Sequence, residues 1–437
     1  MARNLLCSVG DVRGLVGAGM AYAADEGTVS VLLPTYNRAK YVAESLDSVL
    51  AQTYRPFEII VIDDGSSDET AAVCARYGAN VSYVKVEKNR GKTAAINHGL
   101  TLARGEFIWI MDDDDIAPPE ALATLVRPLI SDDDVGFSFG TLQKFRTDRQ
   151  GKYRFESSQW ADLTAPRSLF VRLMEDCFIT GQPCVLFRRR LLAELAPFDE
   201  RILSSVDYNI LLRLSRHHAG VDVKAVVLWQ RQHEGSRGPA AGRHSASSRT
   251  AKWREFDKRL ILDLFPTLHL GEFLGIREAA GGLDKIQVRK ANFQKAVIAA
   301  RKELWNDAIH YLDIGFKTWP EEPLSVEGGT ILSRMFGSRY GIDVFLDDLD
   351  LQKIMAKTFQ QNSVGRSAAV AACARLPFWI KYELRRMRPL KALRVFQAMS
   401  RVVGWRQALK LTLDAARRKL GAATLASSAG AKKPKAA

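Results

Sequence analysis

Short apolar runs alternate with segments of helical periodicity between Thr28 and Ile116, a pattern that predicts βαβ units and a largely parallel sheet. VSVLLPTYN (Val29 to Asn37) reads as a buried strand entering a proline-containing loop, and Lys40 to Gln52 places Val42, Leu46, Val49 and Leu50 on one face of a helix. FEIIVIDDGSSDET reads as a second strand with Asp64 at its end and Ser66, Ser67 and Asp68 free to cap a helix. Val81 to Val86 is a third strand, Thr93 to Ala103 a helix, and Glu106 to Met111 a fourth strand running directly into Asp112, Asp113, Asp114 and Asp115. Ligands of open α/β sheets bind beyond the carboxyl ends of the strands, where both acidic clusters stand.

Farther along, Val221 to His233 reads as a late strand, and Gly235 to Ser248 is a loop rich in glycine, serine and basic residues. The chain then turns helical: Ala296, Ala299, Ala300, Leu304, Ala308, Leu312 and Phe316 recur at helical spacing within Gln287 to Lys317, a packed helical subdomain rather than a repeat array. Leu376 to Leu420 is a basic amphipathic region broken by Pro389. The expected division is a flexible extension 1–27, an α/β domain 28–235, a mobile loop or linker 236–250, a helical subdomain 251–374, the amphipathic region 375–420 and a disordered tail 421–437. Gly14 to Ala24 is apolar, but Asp11 and Arg13 stand where the core of a secretory signal should extend; a disordered extension, or translation from Met20, fits better.

Charge changes this picture only at one end. Of 63 basic and 49 acidic residues, 16 and 2 lie from Arg375 onward, a net of +14 that equals the charge of the whole. A neutral body with a basic, apolar-interleaved end predicts a contact with anionic lipid through 375–420, with packing on the protein as the alternative, and argues against nucleic acid. No window approaches the roughly 20 apolar residues of a membrane-spanning helix. Five scattered cysteines form no metal-binding pair, so reduced thiols in a cytoplasmic protein, at most at the inner face of a membrane, are expected.

Four consecutive aspartates repel unless a cation neutralises them, and oxygen-only ligation suits Mg²⁺ or Mn²⁺; a solvated loop of capping aspartates is the alternative. Asp132, Asp133 and Asp134 follow a helix and read as solvated. Gly91, Lys92 and Thr93 are not a phosphate loop, since that motif needs a glycine where Val86 stands.

VSVLLPTYNRAKYVAESLDSVLAQTY, FEIIVIDDGSSDET, NRGKTAAINHGLTLARGEFIWIMDDDD and FDERILSSVDYNILLRLS, in this order, resemble the family 2 glycosyltransferases of the GT-A fold over roughly half the chain, Thr28 to Ser236. The resemblance implies a Rossmann-like α/β fold, a mixed but mostly parallel sheet flanked by helices, followed here by an α-helical C-terminal region. It implies an inverting transferase of hexosyltransferase type acting on a nucleotide-diphosphate sugar, a UDP-sugar first among them, and a saccharide, lipid-linked or protein acceptor, in cell-surface polysaccharide or glycoconjugate synthesis. A catalytically inactive nucleotide-sugar-binding or scaffold protein remains the alternative. Residue by residue, it implies that Pro34, Thr35, Tyr36, Asp64 and Gly91 contact the nucleotide, and Asp112 and Asp113 its diphosphate end. Asp112, Asp114 and His233 would hold Mn²⁺ or Mg²⁺; Asp113 and Asp115 form a second DxD register, but the family's first aspartate directly follows the strand. Gly181 would line the acceptor side. Asp207 would be the general base, with Val206 where the family usually has glutamate.

Overall fold

The computed structural model describes residues 25–55, 57–156, 158, 168–202, 205–232, 249–276, 282–337 and 339–429. The expected extension before Asp25, most of the linker, His233 and the last eight residues lie outside them. The chain divides into two compact units, one of Met1–Leu173 with Cys177–Asp263, the other of Met174–Asp176 with Leu264–Ala437.

The first unit starts with β1 (Asp25–Thr35), α1 (Val42–Leu50), β2 (Phe57–Asp63), α2 (Thr70–Ala75), β3 (Ser82–Lys85), α3 (Lys92–Leu102) and β4 (Gly105–Ile110). It continues through α4 (Ala121–Ser131), β5 (Val135–Thr147), β6 (Tyr153–Phe155), α5 (Leu169–Glu175), β7 (Val185–Arg188), α6 (Arg189–Leu195), α7 (Val206–His217), β8 (Ala219–Arg231) and α8 (Arg249–Leu264). Among the described residues eight strands form one sheet in the order β3-β2-β1-β4-β7-β5-β6, with β8 beside β5. β3, β2, β1 and β4 are mutually parallel, while β7 runs antiparallel to both β4 and β5. Helices cover both faces of the parallel half, so its strands are unbroken apolar runs: Val29, Val31, Leu32 and Leu33 of β1 are fully buried, as are Ile108, Trp109 and Ile110 of β4. This is the mixed, mostly parallel sheet expected of a GT-A fold.

The antiparallel insertion is not visible in the hydrophobic pattern. β7 has only four residues and ends in Arg188, a buried cation whose guanidinium donates to Glu106, to Asp133 and to the backbone oxygens of Leu129, Asp132 and Val135. Asp133 is otherwise fully solvated, as its position after α4 predicts.

The second unit is helical: α9 (Lys285–Arg301), α10 (Trp305–Thr318), α11 (Val326–Leu332), α12 (Arg339–Asp347), α13 (Leu349–Phe359), α14 (Ser363–Ala372), α15 (Leu376–Arg385), α16 (Pro389–Val403) and α17 (Trp405–Ala429). Asp284 and Gln287 close a reciprocal cap at the start of α9. The expected apolar stripe of α9 and α10 forms the core, with Ala296, Ala299, Ala300, Ala308, Leu312 and Phe316 fully buried. The amphipathic region breaks at Pro389 as expected: α15 ends at Arg385, and the proline opens α16, where the first helical turn has no amide donor to lose. α17 stays helical to Ala429, past Leu420, where the sequence pattern ends.

Candidate active site

Three loops at the carboxyl ends of β1, β2 and β4 meet the N-termini of α3 and α7. The first two are knitted together by polar contacts: Asn37 N donates to Ser66 Oγ (2.8 Å), Ser67 N to Asn37 Oδ1 (2.8 Å) and Arg38 N to Thr70 Oγ1 (3.0 Å). Pro34 and Thr35 are buried at the last turn of β1, paired in register with Ile62 and Asp63, and Tyr36 is half-buried in the loop beyond.

The two aspartates after β2 do different work. Asp63 is fully buried and accepts from Ser66 N (2.7 Å) and from the Tyr83 hydroxyl, so it builds the turn. Asp64 accepts from Arg90 N (2.9 Å) and Gly91 N (2.6 Å), which draws the Asn89–Gly91 loop against β2. Gly91 sits at φ 96°, a conformation that side-chain-bearing residues rarely adopt, and it opens α3 there. Burial raises the Asp64 carboxyl above its ordinary range, and the two amide bonds pull against that. A carboxylate has about four lone-pair sites, so Asp64 keeps acceptor capacity for a ligand.

The four aspartates after β4 split into two pairs. Asp112 and Asp113 keep some exposure, 22% and 14% of their side chains, whereas Asp114 and Asp115 are buried. Lys92, at the first position of α3, pairs with the Asp112 carboxylate, and Arg38 lies 3.5 Å from Asp113. Ser45 of α1 donates to the Asp112 carbonyl (2.9 Å). Burial, and then the Asp114 charge, push the Asp113 carboxyl up to about 7, with Arg38 opposing.

Arg231 at the end of β8 ties this loop down. Its amide donates to Asp115 Oδ1 (2.9 Å), and its guanidinium donates to Asp114 O (3.0 Å), Glu44 Oε2 (2.7 Å) and Thr147 Oγ1 (3.3 Å) while lying over the Tyr41 and Phe145 rings. Ile116 and Trp229 exchange backbone bonds just beyond.

Asp207 stands in the first turn of α7, half-buried, after Ser205 in a left-handed conformation (φ 59°). Residues a little upstream are clamped to α3 and the loop before it: Asn97 exchanges two bonds with the backbone of Phe198 (2.8 and 2.9 Å), and Arg90 pairs with Glu200 at 2.8 Å. Burial lifts the Asp207 carboxyl above its ordinary range; Lys92 pulls it back, and Asp112 and Asp257 push it up. Lys92, Asp112 and Asp207 therefore share one electrostatic environment. Gly181, at φ 107°, opens the turn Gln182–Cys184, and Trp109 Nε1 donates to Pro183 O (2.8 Å), which fastens that turn to β4. A Cβ at Gly181 would meet nothing nearer than 3.8 Å, so its backbone angle, not crowding, calls for glycine.

Among the described residues no group of three or more His, Cys, Asp or Glu side chains is arranged to hold a metal. Mg²⁺ and similar cations are commonly bound by one or two carboxylates, with substrate phosphates and waters completing the shell, so no such group is required. A run of carboxylates with Asp112 at its exposed edge fits that mode.

Reading the sequence alone singles out Asp64, Gly91, Asp112, Asp114 and Asp207 but passes over Lys92, Arg38, Asn97 and Arg231. For Lys92 a signal existed: a lysine placed at a helix start, where the macrodipole disfavours it, needs a nearby anion.

A Rossmann-like sheet with acidic loops at its carboxyl edge is the architecture of the GT-A fold. Residues 30–196 match the model of glycosyl transferase family 2, and this part of the chain belongs to that family. It is 26% identical over 274 residues to an uncharacterized glycosyltransferase of Rickettsia bellii, covering 60% of this chain and 38% of that protein. It is 28% identical to the chondroitin synthase of Escherichia coli, over 43% of this chain and 26% of that one. A crystal structure of S. aureus TarS 1–349 in complex with UDP-GlcNAc is similar at a TM-score of 0.45 and 18% identity, over 87% of this chain and 92% of that one. The chain spans about a third of the length of the first curated relatives it matches.

Proposed function

We propose that the protein transfers a sugar from a nucleotide-diphosphate sugar, with UDP-sugars first among the donors, to an acceptor hydroxyl, inverting the anomeric carbon. The observation that carries this reading is the run of carboxylates at the carboxyl end of β4, where Lys92 of α3 pairs with Asp112, inside the segment that matches the family model. Pro34, Thr35, Tyr36, Asp64 and Gly91 would hold the nucleotide, and Asp112 and Asp114, with His233, would hold Mn²⁺ or Mg²⁺. When bound, the cation offsets charge gathering on the departing diphosphate. Lys92 adds a fixed positive charge beside Asp112, and Asp207 removes the proton from the attacking hydroxyl as the Gly181 turn lines its approach. Attack opposite the leaving group inverts the configuration. The name of the Escherichia coli relative supports a saccharide acceptor, in surface polysaccharide or glycoconjugate synthesis, over a protein. The test is a screen of purified enzyme against nucleotide sugars, read as donor hydrolysis with Mn²⁺ and with Mg²⁺; hydrolysis of one donor class supports the reading. A protein that binds a donor and hydrolyses none would be a binding protein instead.

Arg231 gives a further expectation. Arg231→Leu should cost about 2 kcal/mol of stability by breaking charge-assisted bonds, and should lower turnover by freeing the aspartate loop. Arg231→Lys should recover only part of both, since a single nitrogen cannot reach the acceptors that Nε, Nη1 and Nη2 meet separately on Asp114, Thr147 and Glu44. Denaturant unfolding beside steady-state rates measures this; a stable Arg231→Leu enzyme with normal turnover would rule out the positioning role.

A further inference from the structure

Helices α15, α16 and α17 pack on one another, yet large apolar side chains stay outside that packing. Met387 and Leu390, in and after the α15–α16 turn, are 87% and 78% exposed, and Trp405 at the start of α17 is 62% exposed. Leu409 and Leu413 follow Trp405 at successive turns of α17, forming an exposed stripe, while the inward residues Val395, Met399, Val402 and Ala408 are buried. The amphipathic pattern read from the sequence thus resolves into two apolar faces, one spent on the protein's own core and one not.

The exposed charges that α15, α16 and α17 themselves carry around the outer face have a single sign, while Asp347 of α12, 68% exposed, pairs with Arg394 at its edge. Every exposed charged side chain described between Leu376 and Arg417 is cationic, including Arg385, Arg386, Arg388, Arg406, Lys410 and Arg417. The two carboxylates in this stretch are turned away: Glu383 is buried within 4 Å of Arg388 and Lys391, and Asp414 is half-buried. Arg406 lies over the Trp405 ring at 5.4 Å, an aromatic and a cation side by side. No helix among the described residues is long and apolar enough to cross a membrane.

We propose that this face of α15–α17 docks on an anionic phospholipid bilayer, with Met387, Leu390 and the Trp405–Leu409–Leu413 stripe entering the interfacial layer and the surrounding arginines and lysines meeting lipid phosphates. Interfacial helices combine these elements: an apolar face a few side chains deep, basic flanks and a tryptophan. Nucleic acid would use the cations but leave exposed leucine and methionine without partners. A second copy would bring a surface of the same charge against this one.

The experiment is co-sedimentation of the full-length protein with vesicles of phosphatidylcholine alone and of phosphatidylcholine mixed with phosphatidylglycerol, over a salt series. Binding is expected only to the anionic vesicles and should weaken with salt. Each cation near such a surface contributes roughly fivefold, so Arg385→Gln/Arg406→Gln/Lys410→Gln should partition about 100-fold more weakly. Met387→Ser/Leu390→Ser/Trp405→Ser should also release the protein; these sites are exposed, and circular dichroism serves as the control for folding. No binding to anionic vesicles, binding unaffected by both triple variants, capture of a short nucleic-acid duplex in place of vesicles, or a dimer that the serine variant dissociates without any vesicle binding would each overturn the proposal. The readout is independent of sugar transfer, so its failure is separate from failure of the enzymatic reading.

Discussion

Asp207→Asn is expected to leave donor binding close to wild type and to lower kcat by about 10² to 10⁴-fold, the span that a positioned general base supplies. The substitution is nearly isosteric. Asp207 accepts a 2.9 Å bond from the Tyr208 amide, and the asparagine oxygen can accept the same bond, so the first turn of α7 should survive. What disappears is the negative charge and its basicity. Burial already raises the Asp207 carboxyl above the ordinary range, which makes it a stronger base than a solvated aspartate, while the Lys92 ammonium keeps that rise in check. Calorimetric titration with the nucleotide sugar found by the screen, set beside steady-state turnover, separates binding from chemistry. A variant with wild-type kcat, or one whose only defect is a raised KM, would remove Asp207 from the base role.

The parallel half of the sheet could be read from the sequence because each strand there is buried on both sides, and burial on both sides writes a local signal: VSVLL, FEIIVI and EFIWI are continuous apolar runs. β5 and β7 escaped because their signals are not local. β5 alternates less clearly along its outer half, and the four-residue β7 ends in Arg188, whose partners Glu106 and Asp133 lie 82 and 55 residues away. The same contrast holds at the candidate site. Aspartates that directly follow a strand announce themselves. Arg231 does not, for its meaning comes from Glu44, 187 residues earlier, and from the carbonyl of Asp114. Cations that organise a carboxylate cluster are visible only once the fold has brought the two together.

Chelation of divalent cations is expected to reduce transfer to background, with recovery on addition of Mn²⁺ or Mg²⁺, and Asp112→Asn should lower turnover on the order of 10³-fold at ordinary metal concentrations. Asp112 is the most exposed of the four aspartates after β4, and it already holds a cation, the Lys92 ammonium. That pairing sets up a sharper test. If Lys92 acts mainly by neutralising and orienting Asp112, Lys92→Met will cost much in the native enzyme and little in the Asp112→Asn background. If it acts independently on the diphosphate, the two losses will multiply. The contact between the two side chains predicts the first outcome, a coupling of roughly 0.5–3 kcal/mol for residues that touch. Rates measured for the two single variants and the double variant, across a metal titration, read the coupling directly. An enzyme that keeps full turnover after exhaustive chelation would refute the metal-assisted reading, and would leave Lys92 and Arg38, the cations paired with Asp112 and Asp113, to meet the leaving diphosphate.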